Sequence, residues 1–320
     1  QQVERIDKDS PGTVGVYVKR LDNGETLSYG ADRFWYLGST VKVPIAITVL
    51  QQVDADQLKL NDRRVLQEGD RIEAGRLVWN RAGTPVPVDE LLKRMLGESD
   101  NTAANMLIRT VGEERFNDVA QKAMGADRVH RLTTLAAVRY DVYAEVHPDA
   151  RKLSNDQLVR IASAPLGPGR IDALRNAMGM KATDLKVRTI DDAYDRYYRA
   201  GLNAATLEGY GAMLEKLVRG ELLSPASTQR LFKEMKIDIF TNYRLQAGLP
   251  RSVKFVHKTG TQYRRACHAG VIEPQNGGAH AIVVATCAAD IDEQKAAGVV
   301  FERIGRAISQ TVLADGVAAR

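Results

Sequence analysis

Cysteine is scarce in this chain. Two in 320 residues, Cys267 and Cys287, are too few for a disulfide scaffold or a four-ligand zinc cage. The five histidines, His130, His147, His257, His268 and His280, show no metal-binding spacing such as H-E-x-x-H. No metal or other cofactor is therefore expected. Long apolar runs are also missing. Stretches such as "AIVVATCAA" (Ala281 to Ala289) have the length of a strand, well short of a membrane span. Neither charge sign dominates: 45 basic residues face 40 acidic ones for a net +5, and the signs are interspersed, as in "QEGDRIEAGR". Aromatics make up 6% of the chain and form no stripe with basic residues, so no nucleic-acid partner is expected. A glycine-rich phosphate loop and internal repeats are absent as well.

What is present is core material. With 44% hydrophobic residues, a chain of this length can build one large domain or two lobes. The first forty residues read as strands: "GTVGVYVKRL" alternates, Asp22-Asn23-Gly24 makes a tight turn, and "ETLSYG" returns. From Ser39 the period becomes helical, with Val43, Ile47, Leu50 and Val53 on one face. Helical patterns dominate to about residue 235. "SVKFVHKTGTQ", "ACHAGVIEP" and "AHAIVVATCAA" then read as strands, followed by a last helix. Strands, many helices, strands and a helix make an α+β chain in which the terminal strands share one antiparallel sheet. The expected division is a discontinuous sheet lobe (1–40 and 235–320) and a helical lobe (41–234).

Ser39 and Lys42 are three residues apart at the start of an apolar helix. That spacing puts both side chains on one face. A serine needs a base to become a nucleophile, and a lysine serves only once desolvation has removed its proton. The plainer alternative is a helix-capping serine beside a lysine reaching for water. Two further runs bear on the choice. "ESDNTAAN" holds Ser99, Asp100 and Asn101 at a junction between two helical patterns, where Ser99 can relay a proton and Asn101 can hold a substrate amide. "HKTGT" places Lys258, Thr259, Gly260 and Thr261 on a strand, where Lys258 offers a charge to a carboxylate and Gly260 permits close approach.

S-x-x-K, S-D-N and K-T-G in that order resemble the class A β-lactamases and penicillin-binding proteins. "SDNTAAN" with Asn105, "LVRGELLSP" and "LPRSVKFVHKTGT" extend the resemblance over nearly the whole chain outside about 137–202. The resemblance implies a five-stranded antiparallel sheet flanked by terminal helices, beside an all-helical lobe. It implies that Ser39 is acylated, Lys42 is its base or the base's partner, and Ser99 is a proton shuttle. Asn101 then binds substrate, Lys258, Thr259 and Thr261 take the carboxylate end, and Gly260 lets substrate approach the backbone. The oxyanion hole would use the backbone N–H of Ser39 and of Gln262. A small-molecule or peptidoglycan-like substrate, a monomer, a periplasmic or secreted location and a part in antibiotic resistance are expected on the same ground. The chain begins at Gln1 and not at Met, so any leader is expected to have been removed. β-Lactam hydrolysis is the first expectation. A D-Ala-D-Ala carboxypeptidase or esterase, or a sensor that stays acylated, are the alternatives.

The chain departs from that family in one place. Where the family carries a deacylating glutamate, "HRLTTLA" puts Ala136. Glu145, Asp141 and Tyr140 are the candidates to replace it, each with an ordinary packing or surface role as the alternative. An insertion follows, too long for a structureless loop. Ser154 with Gln157 resembles a capping box, and "GRIDALRNAMG" and "TIDDAYDRYYRAG" suggest further helices of a lid or of an inert decoration. Tyr194, Tyr197 and Tyr198 either line substrate or pack. His268 lies where some relatives keep an arginine for the substrate carboxylate. A hairpin centred near Gly277 would set Cys267 opposite Cys287, as a cross-strand disulfide or as two packed thiols.

Overall fold

The structure is a computed structural model that describes residues 1–236 and 243–313. Nine strands are present among the described residues: β1 (Thr13–Arg20), β2 (Thr26–Tyr29), β3 (Phe34–Tyr36), β4 (Arg63–Val65), β5 (Pro85–Pro87), β6 (Ala204–Thr206), β7 (Phe255–Gln262), β8 (Arg265–Ile272) and β9 (Ile282–Ala289). The five long and terminal ones form one antiparallel sheet in the order β2-β1-β9-β8-β7. The short ones pair as β3 with β6 and β4 with β5. The fold is α+β, as the alternation of the terminal segments implied.

The sheet buries both faces, and its side chains alternate between two cores. Val14, Val16, Val18, Val284 and Ile272 face one way, toward α1 (Gln2–Asp9) and the C-terminal helix, which carries Phe301 and Ile304. Tyr17, Val283, Ala285, Val271 and Val256 face the helical layer. In that layer α2 (Lys42–Asp54) is buried on every side, with Val43, Ile45, Ala46, Ile47 and Val49 inaccessible. Around it pack α3 (Val88–Gly97), α4 (Asn101–Val111) and α5 (Glu113–Met124), which meet through Leu91, Met95, Leu107 and Phe116.

The insertion has a core of its own. It comprises α6 (Leu135–Val146), α7 (Asn155–Ala162), α8 (Pro168–Met178) and α9 (Ile190–Arg199). Tyr143, Leu158, Leu174, Ile190 and Tyr197 meet at its centre. Ser154 and Gln157 form the reciprocal capping box that opens α7. After it, Thr206 caps α10 (Leu207–Val218), and α11 (Pro225–Glu234), the single turn α12 (Leu245–Gly248) and the C-terminal helix α13 (Lys295–Gln310) complete the chain.

Two local expectations need correction. The first forty residues are not all strand, because α1 precedes β1: its polar face hides a two-residue apolar seam, Val3 and Ile6, that packs on α13. Ser39 does not cap an α-helix. It lies in a 3-10 turn, Gly38–Val41, and the α-helix begins at Lys42.

Candidate active site

The 3-10 turn sets the first contact. Residues three apart eclipse in such a turn, so Lys42 stands directly over Ser39. Its Nζ lies 3.2 Å from Ser39 Oγ. The side chain is fully buried and bonded to protein oxygens. The solvated-lysine alternative is therefore excluded.

Ser99 meets Lys42 from the other side. It precedes the α4 N-cap, Asp100, whose carboxylate accepts from Ala103 N at 2.9 Å and Leu77 N at 2.8 Å. Ser99 itself has φ +57°, a left-handed conformation that costs a β-carbon residue strain. The turn aims both its carbonyl and its hydroxyl at Lys42 Nζ, at 2.5 and 3.0 Å. Asn101 Oδ1 is 2.6 Å from the same nitrogen. Lys258, from β7, reaches Ser99 Oγ at 3.1 Å. The structure thus brings Ser39, Lys42, Ser99, Asn101 and Lys258 together from three separate parts of the chain.

The two closest neighbours of Lys42, Ser99 O and Asn101 Oδ1, can only accept. An ammonium and a neutral amine can both satisfy them, and the neutral amine keeps a lone pair for a serine hydroxyl. The electrostatics favour the neutral form. Burial pushes the Lys42 ammonium well below its ordinary range, and the charge of Lys258 adds to this, while Asp100 opposes both. Lys258 is lowered to about 7, by burial first and then by Arg244.

Strand β7 runs beside the Ser39 turn. Gly260 is required there: a Cβ on it would come within 2.2 Å of Leu37 O and 3.1 Å of Ser39 N. Gly38, at φ +53°, faces back in the same way, and a Cβ on it would lie 2.9 Å from Thr261 N. The parity of the strand corrects one expectation. His257 N–H points outward, to Met235 O at 2.9 Å, so the N–H groups of Thr259 and Thr261 also point to the open edge. Gln262 pairs inward with Arg265, so its N–H faces β8. The second backbone donor near Ser39 is therefore Thr261, not Gln262. The Gln262 side chain instead accepts from Tyr194 OH at 3.1 Å.

His268 also moves out of the site. It is fully buried on the α13 face of the sheet, where its Nδ1 accepts from Leu245 N and its Nε2 lies 2.9 Å from His257 Nδ1. The neighbouring cation comes from Arg244, which carried no motif. Its buried guanidinium donates to Gly260 O, Cys267 O and Thr261 Oγ1, each at 2.9 Å.

On α6, Asp141 pairs with Arg151 at 2.8 Å, and Tyr140 OH sits 2.7 Å from Leu153 O and 2.9 Å from Asn155 Oδ1. Glu145 lies one helical turn beyond Asp141. The contacts of Asp141 and Tyr140 are made within the insertion and not with Ser39, which corrects the candidacy of those two. The tyrosines of α9 are engaged by protein: Asn203 Nδ2 donates to Tyr197 OH at 3.0 Å, and Tyr198 OH donates to Tyr263 O at 2.6 Å. Cys267 and Cys287 are directly paired residues of β8 and β9 and form a disulfide, with Cα atoms 4.0 Å apart.

Known proteins resemble this chain in sequence and fold. A β-lactamase of Rhodobacter capsulatus is 29% identical over 134 residues, which is 40% of this chain and 46% of the relative. The chain thus spans less than half the length of that relative. A β-lactamase of Streptomyces albus G is 23% identical over 315 residues, 96% of this chain and 82% of the relative. The solved structure of PBP-A shares the fold, with a TM-score of 0.72 at 21% identity over 98% of this chain and 95% of that one. The model of the Beta-lactamase enzyme family matches residues 1–312, and the chain belongs to that family.

Proposed function

We propose that this protein is a serine hydrolase that opens the amide bond of β-lactams through an acyl-enzyme on Ser39. One observation carries the reading: Lys42 Nζ lies 3.2 Å from Ser39 Oγ and 3.0 Å from Ser99 Oγ, in a buried site that favours the neutral amine. Ser39 attacks the lactam carbonyl as Lys42 takes its proton. The proton passes to Ser99 Oγ and on to the departing nitrogen. The N–H groups of Ser39 and Thr261 receive the developing oxyanion. Lys258 and Arg244 supply the positive field for the substrate carboxylate, with Thr259 and Thr261 beside them, and Asn101 holds the amide while fixing Lys42.

The disulfide supports export to an oxidising compartment such as the periplasm. No helix among the described residues is long and apolar enough to cross a membrane. Ala136, at the family's deacylating position, favours a second reading in which the same acyl-enzyme serves a D-Ala-D-Ala peptidase or esterase. Nitrocefin with wild type and Ser39→Ala separates the readings. Many turnovers per wild-type molecule and none for the variant support the lactamase. Release of D-alanine from a peptidoglycan-like peptide without nitrocefin turnover supports the peptidase. Equal rates for both chains would refute the role of Ser39.

A further inference from the structure

The family's deacylating carboxylate is missing from α6, yet a carboxylate from the loop before α3, Glu73, pairs with α6 at Arg139. Ala136 is buried in the first turn of α6, and its N–H faces Asn105 Oδ1. Three residues on, on the same helical face, is Arg139. Its guanidinium forms an ion pair with Glu73 Oε1, and both side chains are largely buried. Glu73 is bound closely to the reacting cluster. Asn101 Nδ2 donates to Glu73 O at 2.9 Å and Asn101 N to Ala74 O at 3.0 Å, while Asn101 Oδ1 holds Lys42. Gly75 presses on Asp100 so closely that a Cβ would lie 2.2 Å from its carboxylate. Arg139 is fixed in turn: its Nη1 donates to Tyr194 OH at 2.6 Å, and that hydroxyl donates to Gln262 on β7.

In this ion pair, Glu73 Oε2 and Arg139 Nε are buried with no protein partner. Buried polar atoms are nearly always satisfied. A free acceptor and a free donor in one ion pair suit a bound water. We infer that Glu73 is the catalytic base of deacylation, holding and deprotonating the water that attacks the Ser39 ester, with Arg139 and Tyr194 as positioning residues. This rests on the acyl-enzyme reading above. The water oxygen bonds to the ester carbonyl carbon as its proton passes to the Glu73 carboxylate. The proton held by Glu73 passes by way of Lys42 to Ser39 Oγ as collapse of the tetrahedral intermediate breaks the bond to that oxygen, so Lys42 ends neutral and the product leaves as the carboxylic acid.

The test is rapid-quench intact mass spectrometry with benzylpenicillin, on wild type, Glu73→Gln and Ser39→Ala. Glu73→Gln keeps the shape and the Arg139 contact. Its acylation rate should stay within about threefold, while deacylation slows by about 100-fold or more, in the range of general-base catalysis. Hydroxylamine, a nucleophile that needs no base, should release the trapped acyl group from the variant. Tyr194→Phe, which frees Arg139 on one side, should slow deacylation and leave acylation unchanged. Deacylation of Glu73→Gln at the wild-type rate overturns the inference, as does an equal loss in both steps or an acyl group that hydroxylamine does not release. Absence of any adduct on the wild type would instead refute the acyl-enzyme reading itself.

Discussion

Gly260 and Leu37 approach so closely that a Cβ on the glycine would come within 2.2 Å of the Leu37 carbonyl oxygen. The strand that carries Gly260 and the turn that carries Ser39 are therefore fitted backbone to backbone, and the position of Ser39 depends on what Gly260 lacks. Gly260→Ala should push the turn away from Thr261 N. Because one oxyanion donor is worth about 100-fold or more, kcat/KM for nitrocefin should fall at least tenfold. Near-ultraviolet circular dichroism should show the fold retained.

The two lysines predict a bell-shaped pH dependence. Lys42 must be neutral to take the Ser39 proton, so activity rises as pH climbs through its depressed value. Lys258 must be charged to hold a carboxylate, and its value is lowered to about 7, so kcat/KM should fall above that pH. A bound carboxylate favours the ammonium, so the falling limb of kcat should lie higher than that of kcat/KM. Lys258→Arg, which stays charged, should remove the falling limb near neutrality. Profiles from pH 5 to 10 for wild type and Lys258→Arg check all four statements.

Arg244 and His268 should separate in their effects. His268 accepts from Leu245 N behind the sheet. Replacing it with alanine leaves a buried donor unpaired, which should cost about 1–3 kcal/mol in urea unfolding and leave KM within twofold. Arg244→Ala removes the cation beside Thr261 Oγ1. It should raise KM for carboxylate-bearing substrates tenfold or more.

The disulfide should matter for stability and not for chemistry. Cys267 and Cys287 are separated by 20 residues, and a loop of that length is worth roughly 3 kcal/mol when closed. The doubly substituted Cys267→Ala/Cys287→Ala chain should melt at lower temperature and keep kcat/KM within about threefold. Calorimetry and initial rates test the two halves independently.

Much of this site could be read in the sequence because its parts are local. Ser39 and Lys42 share one turn, Ser99 to Asn101 share one helix start, and Lys258 to Thr261 share one strand, so short-range rules describe each of them. The register of β8 and β9 followed from the position of the turn between them, which brought Cys267 opposite Cys287. Glu73 and Arg244 were not legible. Each joins the site through a contact distant in sequence, Glu73 with Arg139 and Arg244 with Gly260, and neither sits in a patterned run. The misplacement of His268 and Gln262 shares one cause. Strand residues alternate in facing, and a sequence read without its ladder does not reveal which parity faces the cleft. The 3-10 turn at Ser39 escaped for a related reason, since its spacing of three also suits an α-helix.

The most direct test is the intact mass of the protein during reaction with benzylpenicillin, followed by peptide mapping, for wild type, Ser39→Ala and Lys42→Ala. Wild type should gain one penicilloyl mass located on Ser39 and then lose it. Ser39→Ala should gain none, and Lys42→Ala should acylate at least about 100-fold more slowly. An adduct on another residue, or acylation of Lys42→Ala at the wild-type rate, would contradict the account.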